Sequence, residues 1–142
     1  MRIDVYLETD ARGVHTSDHG RTWCILESIY KNKPLVSRKH ITWMEHNRNG
    51  ALLEGFLFAL RQIRAAGAEV HVYADNLYIC GHICKIPEWE GNGYMKRKGG
   101  PIEYRNLWSR IGEIIISQGL KVIPHTEIPE EKRMEFGKNE NL

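Results

Sequence analysis

The sequence predicts an α/β domain on a five-stranded mixed sheet, three antiparallel strands followed by two parallel ones, flanked by helices. Three observations predict it. Period-2 alternation and β-rich runs fill the chain before about position 45. The apolar spacing then becomes helical, and it returns to alternation at 70–74. A length of 142 residues suits a single hydrophobic core.

Ile3, Val5 and Leu7 alternate with Asp4, Tyr6 and Glu8, so a half-buried strand runs up to Asp10. Residues 11–21, polar and containing Gly13 and Gly20, read as a loop. Two β-rich runs, about 22–30 and 35–44, flank Lys31-Asn32-Lys33-Pro34, and a hairpin is the economical link. Leu53, Phe56, Leu57, Leu60 and Ile63 recur at helical spacing over about 51–66, with Asn47 or Asn49 as a cap and Gly67 just beyond the end. Val70, Val72 and Ala74 give the fourth strand, and Asn76 then caps a short helix carrying Tyr78, Ile79 and Ile83. Residues 86–101 break the pattern with two prolines, four glycines and the basic run Lys96-Arg97-Lys98. A last helix over about 103–118 stops at Gly119, and 120–123 form the fifth strand. The reading is one domain over 1–126, with 127–142 a charged tail that forms at most a short helix.

A strand–helix–strand unit implies a parallel pair with a right-handed crossover. The first and fourth strands then run the same way, and Asp10 and Asp75 leave the sheet at one edge, where open α/β sheets carry their sites. Taken singly, Asp10 reads as a loop-starting residue and Asp75 as part of a helix cap. Side by side, they read as a metal-binding carboxylate pair.

Composition sets the outer limits. With 42% hydrophobic and 27% charged residues the chain is neither disordered nor fibrous. No apolar run reaches membrane-spanning length, and the start is strand-like rather than signal-like, so a cytoplasmic protein is expected. A net charge of +2 is too small to prove a nucleic-acid partner, so the distribution of charge matters more than its sum. Cys24, Cys80 and Cys84 suit free thiols in a reducing compartment; Cys80-His82-Cys84 lacks the second ligand pair of a structural zinc site.

The order of elements, together with Thr9-Asp10, Asp75-Asn76-Leu77-Tyr78, Trp89, Gly93-Tyr94, Pro101, Asn106-Leu107-Trp108, and His125 followed by Pro129-Glu130, resembles the type 1 ribonuclease H family, including the related domains of reverse transcriptases. The likeness spans nearly the whole chain. It implies a ribonuclease H-like fold and hydrolysis of the RNA strand of an RNA/DNA hybrid with Mg2+ or Mn2+. By this resemblance Asp10 bridges two ions, Asp75 and Glu135 are further ligands, and His125 is a flexible catalytic histidine. Asn49 contacts nucleic acid near the scissile strand, and Asn76 takes the family's serine position. Trp89, Tyr94, Lys96, Arg97 and Lys98 match its basic substrate handle.

One departure bears on function. The family places a glutamate early in the first helix, and Leu52 occupies that position in Asn49-Gly50-Ala51-Leu52-Leu53. Glu54 lies two residues on, ~200° around a helix, and cannot reach the same point without a register change. Leucine cannot coordinate a hard cation, so the two-ion mechanism loses a ligand. The expectation is therefore a nucleic-acid-binding protein whose hydrolysis is weak or lost. The rival reading is an inactive interaction module for nucleic acid or protein. Oligomeric state and natural substrate are left open.

Overall fold

The computed structural model describes residues 1–140, with side chains through 137. Its elements run β1 (Arg2–Thr9), β2 (Ser17–Tyr30), β3 (Lys33–His46), α1 (Arg48–Gln62), β4 (Glu69–Tyr73), α2 (Leu77–His82), a 3-10 turn at Ile83–Lys85, α3 (Ile86–Asn92), α4 (Arg105–Gln118), β5 (Lys121–His125) and α5 (Glu130–Glu140). The sheet order is β3-β2-β1-β4-β5. β1, β2 and β3 pair antiparallel, whereas β1–β4 and β4–β5 are parallel. The mixed sheet read from the sequence is the sheet observed.

Several boundaries move. β2 begins at Ser17, inside the expected loop, because the long β2–β3 ladder continues to Ser17↔His46 and gains backbone bonds that side-chain alternation does not report. The hairpin turns on Lys31 and Asn32, both at positive φ, which matches the right-handed twist of the strands. α1 starts earlier and stops earlier than its apolar spacing suggests. Asn47 Oδ1 accepts from the Gly50 N–H to fix the start, and the chain leaves the helix at Ile63. The irregular stretch after 86 contains α3, closed by Gly93 in the left-handed conformation.

Val5, Leu7, Cys24, Val70 and Val72 line one face of the sheet and pack with Leu52, Leu53, Phe56 and Leu60 of α1 and Trp108 and Ile111 of α4. A Cβ on Gly55 would collide with Thr22, so this glycine lets α1 approach β2 closely. Burial pushes the Cys24 thiol up to about 12, in keeping with a packing role.

The segment after 126 is more than a charged tail. Ile128 and Phe136 join Tyr6, Trp23 and Ile25 in a second cluster on the opposite face of the sheet, with Tyr73 against it. Lys132 is nearly buried, pairs with Glu27 and lies over the Tyr6 ring. Two apolar residues in a strongly charged sequence give too weak a periodic signal to reveal this docking. If α5 is integral, Phe136→Ala destabilises the protein by about 3 kcal/mol or more in denaturant unfolding; an unchanged midpoint would show α5 to be dispensable.

Candidate functional site

β1 and β4 pair in register through Tyr6↔Tyr73, so continuing both strands brings Glu8 level with Asp75 and Asp10 two residues beyond. Asp10 and Asp75 are both exposed at this edge. The Asp10 Oδ1 atom accepts the Arg21 N–H at 2.9 Å, and the Asp10 N–H donates to the Arg21 carbonyl at 3.2 Å. Gly20 passes so close that a Cβ there would strike the Asp10 carboxylate and the Trp43 ring.

Buried hydrogen bonds hold the edge from beneath. Thr22 Oγ1 donates to the Ala51 carbonyl at 2.8 Å and accepts from Trp43 Nε1 at 3.0 Å, tying β2 and β3 to the first turn of α1. Thr9 Oγ1 donates to the Arg21 carbonyl at 2.7 Å. At the start of α2, Asn76 Oδ1 accepts from the Ile79 N–H, while its Nδ2 donates to Asn49 Oδ1 at 2.8 Å. Asn49 and Asn76 are thus brought together beside Asp75.

Leu52 is 0% exposed and belongs to the main core. At the head of the same helix, Arg48 Nη2 donates to Glu8 Oε1 at 3.2 Å and to the Asp75 carbonyl at 3.4 Å. A guanidinium therefore spans the ends of β1 and β4.

Glu135 is not brought to this edge. Its Oε1 pairs with Arg38 at 2.7 Å, and its Oε2 is buried 3.8 Å from the Lys132 ammonium. Arg38 lies opposite Ile25 in β2, four residues down the strand from Arg21, where Asp10 sits. The spacing that aligned Glu135 with a ligand position carries no information about which cations α5 meets as it lies down on the sheet.

His125 differs in setting from the flexible loop residue expected. It ends β5 in register with Tyr73, stacks on that ring at 4.5 Å, and its Nε2 lies 2.7 Å from His71 Nδ1. Tyr6 stacks on Tyr73 in turn, making a row of rings across three strands. Burial, the neighbouring His71 and Arg2 hold the His125 pKa below its ordinary value, against a smaller opposing effect of Asp4.

In the handle region, Lys96, Arg97 and Lys98 are exposed on a tight turn closed by Lys96 N–H to the Gly100 carbonyl. Arg97 reaches Glu88 at 3.4 Å. The rings of Trp89 and Tyr94 are buried, Trp89 lying 5.3 Å from Trp108, so they support this turn from below instead of offering faces to a ligand. Aromatic–basic interleaving in sequence does not distinguish those two roles. Cys84 is exposed and His82 Nδ1 lies 2.6 Å from the Tyr78 carbonyl, an arrangement without a second ligand pair.

The chain is 28% identical to the ribonuclease H of Moorella thermoacetica, across 74% of this chain and 70% of that protein. Among solved structures, the PFV RNase H domain superposes with a TM-score of 0.61 at 18% identity, covering 87% of this chain and 77% of that one. The foamy viral protease-reverse transcriptase in complex with RNA/DNA hybrid superposes with a TM-score of 0.71 at 11% identity, over 95% of this chain and 18% of that one. No protein-family profile matches. The fold is ribonuclease H-like.

A ribonuclease H-like site built on two divalent ions needs a compact set of hard oxygen ligands. The residues present do not fit that set. Leu52 offers no oxygen, Glu135 is engaged by Arg38 and Lys132, and a guanidinium occupies the space between the β1 and β4 ends. Among the described residues, no three His, Cys, Asp or Glu side chains gather in a way that could hold a metal ion. The residues that sequence reasoning overlooked are Arg48 and Glu8. The available signal was the cation between Asn47 and Asn49, unusual in the first turn of a helix.

The histidine stack has a pH consequence. Unfolded His125 takes up a proton near its ordinary value of 6.5, whereas the folded residue resists protonation to lower pH. The unfolded state then binds more protons, so stability falls as pH drops from about 6.5 through the folded value and is unaffected above it. His125→Phe keeps a ring in the stack and removes the titration. The urea midpoint of the wild type should therefore fall more than that of the variant between about pH 7.5 and pH 5; equal losses would contradict this assignment.

Proposed function

We propose that this chain is a ribonuclease H-fold protein that binds nucleic acid, with an RNA/DNA hybrid as the favoured partner, and in which metal-dependent hydrolysis is weak or lost. Leu52 carries the reading. A fully buried leucine stands where the resemblance calls for a carboxylate, so Mg2+ or Mn2+ would meet Asp10 and Asp75 without the oxygen that completes the set. His125, tied to His71 and Tyr73, is poorly placed to swing towards a substrate as a proton carrier.

Binding itself is supported by three features. The curated relative is a ribonuclease H, and a structural neighbour was solved with an RNA/DNA hybrid bound. Lys96, Arg97 and Lys98 project from an exposed turn on a buried aromatic base, suited to phosphate contacts. Asn49 and Asn76 sit paired beside the acidic edge, with the Asn49 amide N–H groups still able to donate. A protein-interaction role is favoured by a different observation. Near the tip of the β2–β3 hairpin, Ile29 and Val36 are exposed on one face and Tyr30 and Leu35 on the other.

The test pairs binding with cleavage on a labelled RNA/DNA hybrid. Binding should persist in EDTA and weaken when Lys96, Arg97 and Lys98 are all changed to alanine, with a shallower salt dependence. Cleavage in Mg2+ or Mn2+ should be slight. Efficient turnover that disappears in Asp10→Asn would overturn the lost-hydrolysis reading, and hybrid affinity no better than that of an uncharged control protein would overturn the binding reading.

A further inference from the structure

We infer that Arg48 is the resident cation of the acidic sheet edge, a guanidinium that contacts a phosphodiester of the bound nucleic acid where a two-ion enzyme would use metal. This deepens the nucleic-acid-binding reading above and rests on it for the identity of the ligand.

The geometry points there in three ways. Arg48 Nη2 bonds the Glu8 carboxylate and the Asp75 carbonyl, one group from each of the two neighbouring strands whose ends form the edge. A cation bridging an oxygen of β1 and one just past the end of β4 supplies positive charge at the edge that carries Asp10 and Asp75. Both bonds use the same nitrogen. Among the described residues, Nε and Nη1 make no hydrogen bond, and the side chain is 25% exposed, so the fork retains donors for an anion.

Arg48 is the first residue of α1, where the helix dipole disfavours a cation, and the first turn holds no acidic residue to offset it. Helix stability does not explain an arginine here. Its backbone N–H also donates to the Gly13 carbonyl at 3.2 Å, which fixes the root of the side chain against the loop that follows Asp10. The long side chain is thus directed to the sheet edge from an anchored base.

A divalent ion approaching Asp10 and Asp75 meets a fixed positive charge between the strands and would have to displace it from Glu8. Leu52 and Arg48 act in the same direction. One withholds a ligand and the other repels the ion.

The experiment has two arms using the full chain. Hybrid binding is measured in EDTA for wild type, Arg48→Gln and Arg48→Lys, with unfolding curves confirming that each variant is folded. Arg48→Gln should bind about tenfold more weakly with a salt slope smaller by about one, and Arg48→Lys should recover part of the loss. In the second arm, Mn2+ binding without nucleic acid is followed by electron paramagnetic resonance. Arg48→Gln should gain affinity for Mn2+ over the wild type, because a fixed positive charge leaves the acidic edge. Should Arg48→Gln prove unfolded, Glu8→Gln replaces it: freeing the guanidinium should leave hybrid binding equal or tighter, and weaker binding would overturn the inference. Unchanged hybrid affinity in folded Arg48→Gln overturns it, as does Mn2+ affinity that does not rise. If the wild type fails to bind hybrid at all, the nucleic-acid reading falls, while the Mn2+ arm still decides whether Arg48 stands in for an ion.

Discussion

The parallel pairing of β1 with β4 is the constraint from which the rest of the molecule follows. Two parallel neighbours cannot be joined by a tight turn, so the chain crosses over one face of the sheet, and α1 is that crossover. The helix has to bury an apolar side against Val5, Leu7, Val70 and Val72, which it does with Leu52, Leu53, Phe56 and Leu60. The same pairing sends Asp10 and Asp75 out at one edge and points the head of α1 at the gap between them. The core and the candidate site are two ends of one packing solution.

That coupling gives Leu52 its significance. In this chain the position is sealed in the core, so a carboxylate there would be a buried charge before it was a ligand. One helical turn earlier, Arg48 reaches out over the same edge and meets Glu8 and the Asp75 carbonyl. The edge carries the Asp10 and Asp75 carboxylates together with a fixed cation. On the other face, Arg38 and Lys132 make Glu135 part of the attachment of α5.

The sheet was legible in the sequence because its signal is local. Val5 and Leu7, or Val70 and Val72, announce a strand by alternation alone, and a β–α–β order then fixes the direction of pairing. Asp10, Asp75 and the Asn76 cap followed for the same reason. The attachment of α5 was not legible, since Ile128 and Phe136 are isolated among charges and their partners Tyr6 and Trp23 are distant in sequence. Trp89 and Tyr94 were read as supporting or stacking parts of the basic handle, because an aromatic next to a lysine run has the same sequence whether it lies above or below the backbone; their burial gives them the supporting place. His125 was expected on a flexible loop beyond a strand ending at 123, whereas β5 continues through Pro124 to His125; the ring stack that holds it depends on His71 and Tyr73, whose positions only the register reveals. Arg48 was overlooked because a carboxylate search asks which acids converge, and here the informative residue is the base between them.

In the proposed reading, this ribonuclease H-like edge holds a guanidinium in place of a metal pair. Anomalous diffraction from crystals soaked in millimolar Mn2+ tests it most directly. The account predicts no ordered manganese between Asp10 and Asp75, with Arg48 still bonded to Glu8. Two peaks about 4 Å apart, bridged by the Asp10 carboxylate, would contradict it.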